Sequence, residues 1–190
     1  MLYPIYVYGM PVLRKVAKDI DEDYPDLEQL INDMLETMFE AEGLGLAAPQ
    51  IGLPIRLIVI DGSRMDADDD DEERRELMGF KKILINPHIV EETGDEWEFN
   101  EGCLSIPGIR EDVKRKPELL LRYQDENFEH FEEKFEGVKA RIIQHEMDHV
   151  NGILFTDRIS PLRKRLLNAK LKAISKGKTE ASYKIRFSKK

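Results

Sequence analysis

The run His145-Glu146-Met147-Asp148-His149 constrains this chain more than any other feature of its sequence. Two histidines four positions apart share one face of an α-helix, so both rings can reach a single metal ion. Glu146 follows the first histidine closely enough for its carboxylate to reach a water on that ion. A plainer reading is also open, in which the histidines only cap or pack. The spacing predicts a helix over residues 138–150, with Gly152 as its stop.

The rest of the chain supplies the layers such a helix would pack on. Leu27, Leu30, Ile31, Met34, Leu35, Met38 and Phe39 form one apolar stripe and predict a helix over residues 25–42, ended by Gly43-Leu-Gly-Leu. Short β-rich runs follow at 55–60, 83–85, 96–100 and 104–106, with Asn86-Pro87 as a break. Residues 119–123 and 128–135 flank a hairpin turn at Asp125-Glu126-Asn127. A last amphipathic helix starts at Pro161 and runs to about residue 175. The expected class is α+β: antiparallel-rich sheets around a central metal-binding helix, with one helix in the N-terminal half and one at the C-terminus. The expected division is a catalytic unit over residues 1–160, carrying an acidic loop insertion at about 64–78, and a basic helix and tail over 161–190.

At 190 residues, 41% hydrophobic and 35% charged, the chain has the balance of one globular domain. No stretch approaches the ~18 apolar residues of a spanning helix, so no membrane role is expected. Pro4, Gly9 and Pro11 interrupt the N-terminus, which does not read as a signal peptide. A single cysteine, Cys103, excludes an internal disulfide framework and fits a reducing cytoplasm. The net charge of −9 argues against a nucleic-acid module. Yet residues 161–190 carry eleven Lys or Arg against the single acid Glu180, a balance of +10 that leaves −19 on the other 160 residues. The plain reading of that tail is a solvated helix and a frayed end. The acidic run at 64–76 lacks the spacing and turn glycine of a calcium loop and reads as a solvated insertion.

A catalytic metal site of this kind needs a third protein ligand and an open position. Metallopeptidases that extend the motif to a third histidine would place it where this chain has Phe155, although Gly152 is in step. Those that use a downstream glutamate would find only Glu180 after Asp157. Cys103, in Glu101-Gly-Cys-Leu-Ser105, is the remaining soft ligand, though a lone cysteine is more often a small buried hydrophobe.

Taken together, Gly43-Leu-Gly-Leu-Ala-Ala-Pro-Gln50, Glu101-Gly-Cys-Leu-Ser105 and Gln144-His-Glu-Met-Asp-His149 resemble the three signature blocks of peptide deformylases, in order and roughly fifty residues apart. The resemblance spans about residues 1–160; Val150 departs from the usual leucine, and the acidic insertion leaves the motifs intact. It implies a hydrolase removing the formyl group from N-formylmethionyl nascent peptides. It implies Cys103, His145 and His149 as metal ligands with water as the fourth, and Fe(II) as the resident ion, with zinc, nickel or cobalt as substitutes. Glu146 becomes the general base and then the acid, while the Gln50 side chain and the Leu104 backbone N–H donate to the developing oxyanion. Leu44, Phe99 and Ile142 become candidate walls of the methionine pocket. Gly43, Gly45 and Gly102 would leave backbone edges open to a peptide strand, and Arg110 is a further candidate for peptide contact. Asp148, paired with Arg115, is expected to orient the ligand histidines. Ribosome docking through the basic C-terminus is the expected partner contact. Two other classes stay open on the helix motif alone: another metallopeptidase, or a non-catalytic metal-binding protein, which would want four closed protein ligands.

Overall fold

A computed structural model of the chain describes residues 1–64 and 75–188. In chain order the described elements are β1 (Ile5–Tyr6), α1 (Leu27–Glu40), β2 (Gly45–Ala47), β3 (Leu57–Asp61), β4 (Lys81–Thr93), β5 (Trp97–Gly102), β6 (Arg110–Arg115), β7 (Glu118–Gln124), β8 (His130–Glu136), α2 (Gly137–Val150), α3 (Pro161–Ile174) and β9 (Ile185–Arg186). Strands β2-β3-β4-β7-β8 form one antiparallel sheet in that order; β5 pairs antiparallel with β6, and β1 pairs parallel with β9. The expected α+β class is observed. No helix among the described residues is long and apolar enough to cross a membrane.

β3 explains the layering. All five of its residues are buried, because successive side chains point to opposite faces and both faces are covered. Leu57 and Val59 pack with Leu30, Ile31, Met34 and Met38 of α1. Ile58 and Ile60 pack with Ala140, Ile143, Met147 and Val150 of α2. A third cluster, with Val7, Ile106, Val113, Phe155, Leu171 and Ile174, lies beside Cys103. The two helices therefore sandwich the sheet, and α2 is held between it and the β5–β6 pair.

Helix ends follow local chemistry. Helix α1 starts at Leu27, two residues after the expected point, because Asp26 takes a left-handed φ of 52°. Helix α2 ends where expected: Gly152 at φ 73° lets its N–H reach His149 O and the Ile153 N–H reach Asp148 O.

Three expectations change. The segment 104–106 is a turn rather than a strand. Asn86-Pro87 does not break a strand; it sits at a bulge within the 13-residue β4, where Pro87 is tolerated because its ladder position is irregular. The Asn86 side chain offsets the lost pairing by bonding the Ile20 backbone and Gln124. β6 is an unexpected strand: Glu111, Val113 and Arg115 alternate inward, so its buried face is mostly charged and shows no apolar period. Residues 65–74 of the acidic insertion lie outside the described residues.

The seating of α2 on the sheet yields a stability prediction. Ile143 is fully buried, and Ile143→Ala is expected to cost about 2–5 kcal/mol in urea unfolding. A loss below about 1 kcal/mol would mean that α2 is not held by this contact.

Candidate active site

Helix α2 and the turn that follows β5 meet at one point. The His145 and His149 rings lie 5.2 Å apart on the same helix face, and His149 Nε2 is 3.2 Å from Cys103 Sγ. One donor atom from each of Cys103, His145 and His149 lies within 4.8 Å of the others. Two imidazoles and a thiol at that separation suit one divalent ion with an open coordination position. Glu146 adds a second indication: its Oε2 is buried without a hydrogen-bond partner among the described residues, which a carboxylate tolerates only where something else is to meet it.

The geometry of His145 is fixed from behind. His145 Nδ1 is 2.9 Å from Glu101 Oε2, which leaves Nε2 for the ion. Glu101 accepts a two-pronged contact from Arg115 at 2.7 and 2.9 Å, and a further bond from Arg141 at 3.1 Å. Arg115 Nη1 donates to Asp148 at 2.8 Å, and Arg158 reaches the same carboxylate at 2.5 and 2.6 Å. The expected Asp148–Arg115 pair is thus formed. The contact to a ligand histidine, however, comes from Glu101. Glu101 and Arg141 were missed as site residues. The available signal was Glu101's place two residues before Cys103, on the inward face of β5.

Burial and charge separate the two carboxylates that matter. Burial alone would raise Glu101, but Arg115 and His145 hold it well below the usual carboxylate range. Glu146 lacks such partners: burial pushes it up to about 7, with Glu101 and Asp148 adding to the effect against His145 and Arg115. A carboxyl poised there is suited to accept and return a proton. Burial, then the neighbouring His145 and Arg115, push His149 well below its ordinary value and keep it neutral, as a ligand must be.

Two neutral donors border the same space. Gln50 sits in the 3₁₀ turn Ala48–Ile51, and its Oε1 accepts from the Ala47 N–H at 2.8 Å. That bond aims Nε2 at Ser105 Oγ, 3.3 Å away, and toward Cys103 Sγ at 3.8 Å. Leu104 belongs to the turn closed by the Ile106 N–H on the Cys103 carbonyl at 2.9 Å. Gly45 lies against α2 so closely that an added Cβ would stand 2.7 Å from Glu146 Oε1.

An open cleft of about 1120 Å³ passes His145 and Glu146. Leu44, Gly45, Phe99, Gly102, Arg110 and Ile142 all line it, as do Gln50, Cys103 and Leu104. Arg110 is exposed and bonds Asn100 through both its side chain and its carbonyl. Residues 179–183 of the tail also line the cleft, which no sequence pattern announced.

The chain as a whole is similar to known proteins. Residues 2–165 match the family described as Polypeptide deformylase. The peptide deformylase of Christiangramia forsetii is 56% identical over 189 residues, covering 98% of this chain and 96% of that protein. That of Flavobacterium johnsoniae is 54% identical over 189 residues, with the same coverage of both chains. The crystal structure of the peptide deformylase from Thermus thermophilus superposes with a TM-score of 0.80 at 41% identity, covering 93% of this chain and 99% of that one. With the family match over residues 2–165, relatives of this identity and the shared fold in agreement, this chain belongs to the polypeptide deformylase family.

Proposed function

We propose that this chain hydrolyses the formamide of N-formylmethionyl peptides at the junction of α2 and the Cys103–Ile106 turn. The observation that carries the residue assignment is the convergence of Cys103, His145 and His149 within 4.8 Å beside the unpartnered carboxylate of Glu146. These three side chains would hold the ion, and Fe(II) is the resident metal we favour, with zinc, nickel or cobalt as substitutes. A thiolate with two imidazoles is compatible with any of them. When bound, the ion supplies Lewis acidity, which acidifies a water molecule and polarises the formyl carbonyl.

The protein's own groups do the rest. Glu146 accepts the proton of the attacking water and then delivers it to the departing nitrogen, so one carboxyl serves two steps. Gln50 Nε2 and the Leu104 N–H donate to the formyl oxygen as it gains charge; each such donor is worth about 2.7–4 kcal/mol at related sites. Leu44, Phe99 and Ile142 take the methionine side chain, whose flexible thioether fills an apolar slot without strain. The peptide backbone lies along the open edges at Gly43, Gly45 and Gly102, with Arg110 at the rim. Asp148 and Arg115 act from behind the ligand helix, with Glu101 between them and His145.

We also assign the basic segment to docking. Residues 1–160 form the catalytic unit and 161–190 the accessory one, acting on nascent chains in the cytoplasm. The exposed side chains of Arg165, Lys170 and Lys172 on α3 suit a phosphate backbone such as ribosomal RNA presents.

The central test separates ligand from catalyst. Glu146→Gln should retain one metal per chain and a similar KM, while kcat falls by at least about 10²–10⁴. Cys103→Ser, His145→Ala and His149→Ala should instead lose metal together with activity. Native kcat in metal-loaded Glu146→Gln would overturn the mechanism. A second variant probes the contact with Gly45: the methyl group of Gly45→Ala should displace the carboxylate and lower kcat by about 10² with metal content unchanged. Turnover within twofold of native would show that the carboxylate tolerates the shift. The docking assignment predicts that Arg165→Glu, Lys170→Glu and Lys172→Glu together weaken ribosome binding at low salt and leave formyl-Met dipeptide turnover intact. Equal ribosome affinity for the triple variant would remove it.

A further inference from the structure

The acidic insertion rejoins the described fold at the active-site cleft. Leu77, near its end, is 3% exposed and lines that cleft. Yet it belongs to none of the three apolar clusters that make up the core. The burial of this leucine is therefore against the cleft rather than within the core.

Its place is fixed from two sides. The Phe80 N–H reaches Leu77 O and the Gly62 N–H reaches Phe80 O, both at 2.9 Å, with Gly79 at φ 70° turning the chain between them. Gly62 is bare where Leu77 passes, and an added Cβ there would overlap the Leu77 carbonyl. The residue before Gly62, Asp61, donates its N–H to Leu44 O at 3.1 Å. On the other side, Glu76 Oε2 lies where a Cβ on Gly137, the first residue of α2, would be 3.0 Å away. A carboxylate suits that helix end, where backbone N–H groups are free. Leu77 is thus held between Leu44 and the N-terminal end of α2.

That end of α2 is also where the cleft runs. Val138, Ile142 and His145 recur at i, i+4 and i+7, so they share one helix face, and all three line the cleft. At about 1.5 Å per residue, Val138 lies about 10 Å from His145 along the axis. Six bonds separate the formyl carbon from the terminal methyl of methionine, a reach of roughly 8 Å when extended. A formyl group beside His145 would send that side chain past Ile142 and leave its methyl near Val138. Leu77, next to the Glu76 that reaches Gly137, stands at this point.

We propose that Leu77 is a specificity-determining residue, whose side chain closes the far end of the methionine slot and sets its length. The proposal rests on the reading of Leu44, Phe99 and Ile142 as the walls of that slot. A closed end admits an unbranched side chain of methionine's length and turns away a longer one, because added methylenes meet packed atoms.

The test uses full-length, metal-loaded protein and formyl dipeptides that differ only in the length of the first side chain. Norleucine matches methionine in length, 2-aminooctanoic acid is two methylenes longer, and norvaline is one methylene shorter. The native protein should favour the formyl-norleucyl over the formyl-2-aminooctanoyl peptide by at least about tenfold in kcat/KM. Equal turnover of the two would mean an open-ended slot and would overturn the proposal. Leu77→Ala should raise the ratio of the longer to the norleucyl substrate about tenfold. Leu77→Phe, which advances the end wall, should instead raise the ratio of norvalyl to norleucyl substrate by a similar factor. Each ratio is taken on one preparation, so an unfolded or metal-poor fraction cancels. A shift below threefold in either folded variant would remove the role of Leu77. If the native protein releases formate from none of these peptides, the deformylase reading itself fails; formate release with unmoved ratios removes the assignment of Leu77 alone.

Discussion

The Glu101 carboxylate is buried where an unpaired charge would be driven to its neutral form, and four hydrogen bonds from Arg115, Arg141 and His145 keep it ionised. Removing one partner of such a buried pair typically costs about 3–5 kcal/mol, because the other charge is left uncompensated. Replacing a whole buried ion pair with apolar side chains is often neutral or stabilising, so stability alone does not explain its presence. Geometry does. Glu101 comes from β5, Arg115 from β6, Arg141 and Asp148 from α2, and Arg158 from the segment after it. The network therefore sets how the β5–β6 pair lies against the helix, and the bond to His145 Nδ1 passes that register directly to the imidazole we propose as a metal ligand.

How much of this the sequence revealed depended on which physical signal each part leaves. Helices α1, α2 and α3 were legible because their buried residues recur at helical spacing and their ends carry glycine or proline. β3 and the β7–β8 hairpin were legible as β-rich runs with turn residues between or after them. β6 was not, since Glu111 and Arg115 turn inward as partners for other charges and erase the apolar alternation. β1 and β9 are two residues each, too short to carry a period, and they exist only because the ends of the chain meet. At the site, the blocks around Gln50, Cys103 and His145 named the converging residues. What they left out was the support behind them: Glu101 facing His145, Arg141 stacked on Trp97 with its guanidinium 4.6 Å from the ring, and Tyr183. Such support is a matter of distance across the fold, which a linear pattern does not record.

Close backbone approach is the other half of the site's precision. Among the described residues Glu146 Oε2 has no hydrogen-bond partner, so hydrogen bonding does not define where that oxygen sits. Its position is set by packing: α2 is pressed onto β2, and at Gly45 the absence of a side chain creates the space the carboxylate occupies. Glu146, the proposed proton shuttle, is held by packing, while the Glu101 carboxylate is held by guanidinium groups. Two carboxyls on neighbouring elements thus differ in behaviour because their surroundings differ.

These contacts divide the site between two supports. The histidines and Glu146 ride on α2, whose apolar face is buried against the sheet. Cys103 and Leu104 ride on a turn with no regular structure of its own, which depends on β5 before it and on what reaches it from elsewhere. A metal ion bridging both would stabilise the folded arrangement by its preference for that state over the unfolded chain. An ion tolerates small angular errors in its ligands, whereas an oxyanion donor loses strength steeply as its hydrogen bond bends. On the proposed reading of the Leu104 N–H as that donor, the turn needs finer control at Leu104 than at Cys103. Contacts from Tyr8, Gln50 and Tyr183 gather on Leu104 and Ser105, and Gly43 leaves room for the Leu104 side chain, so the turn is held by the rest of the fold rather than by regular structure of its own.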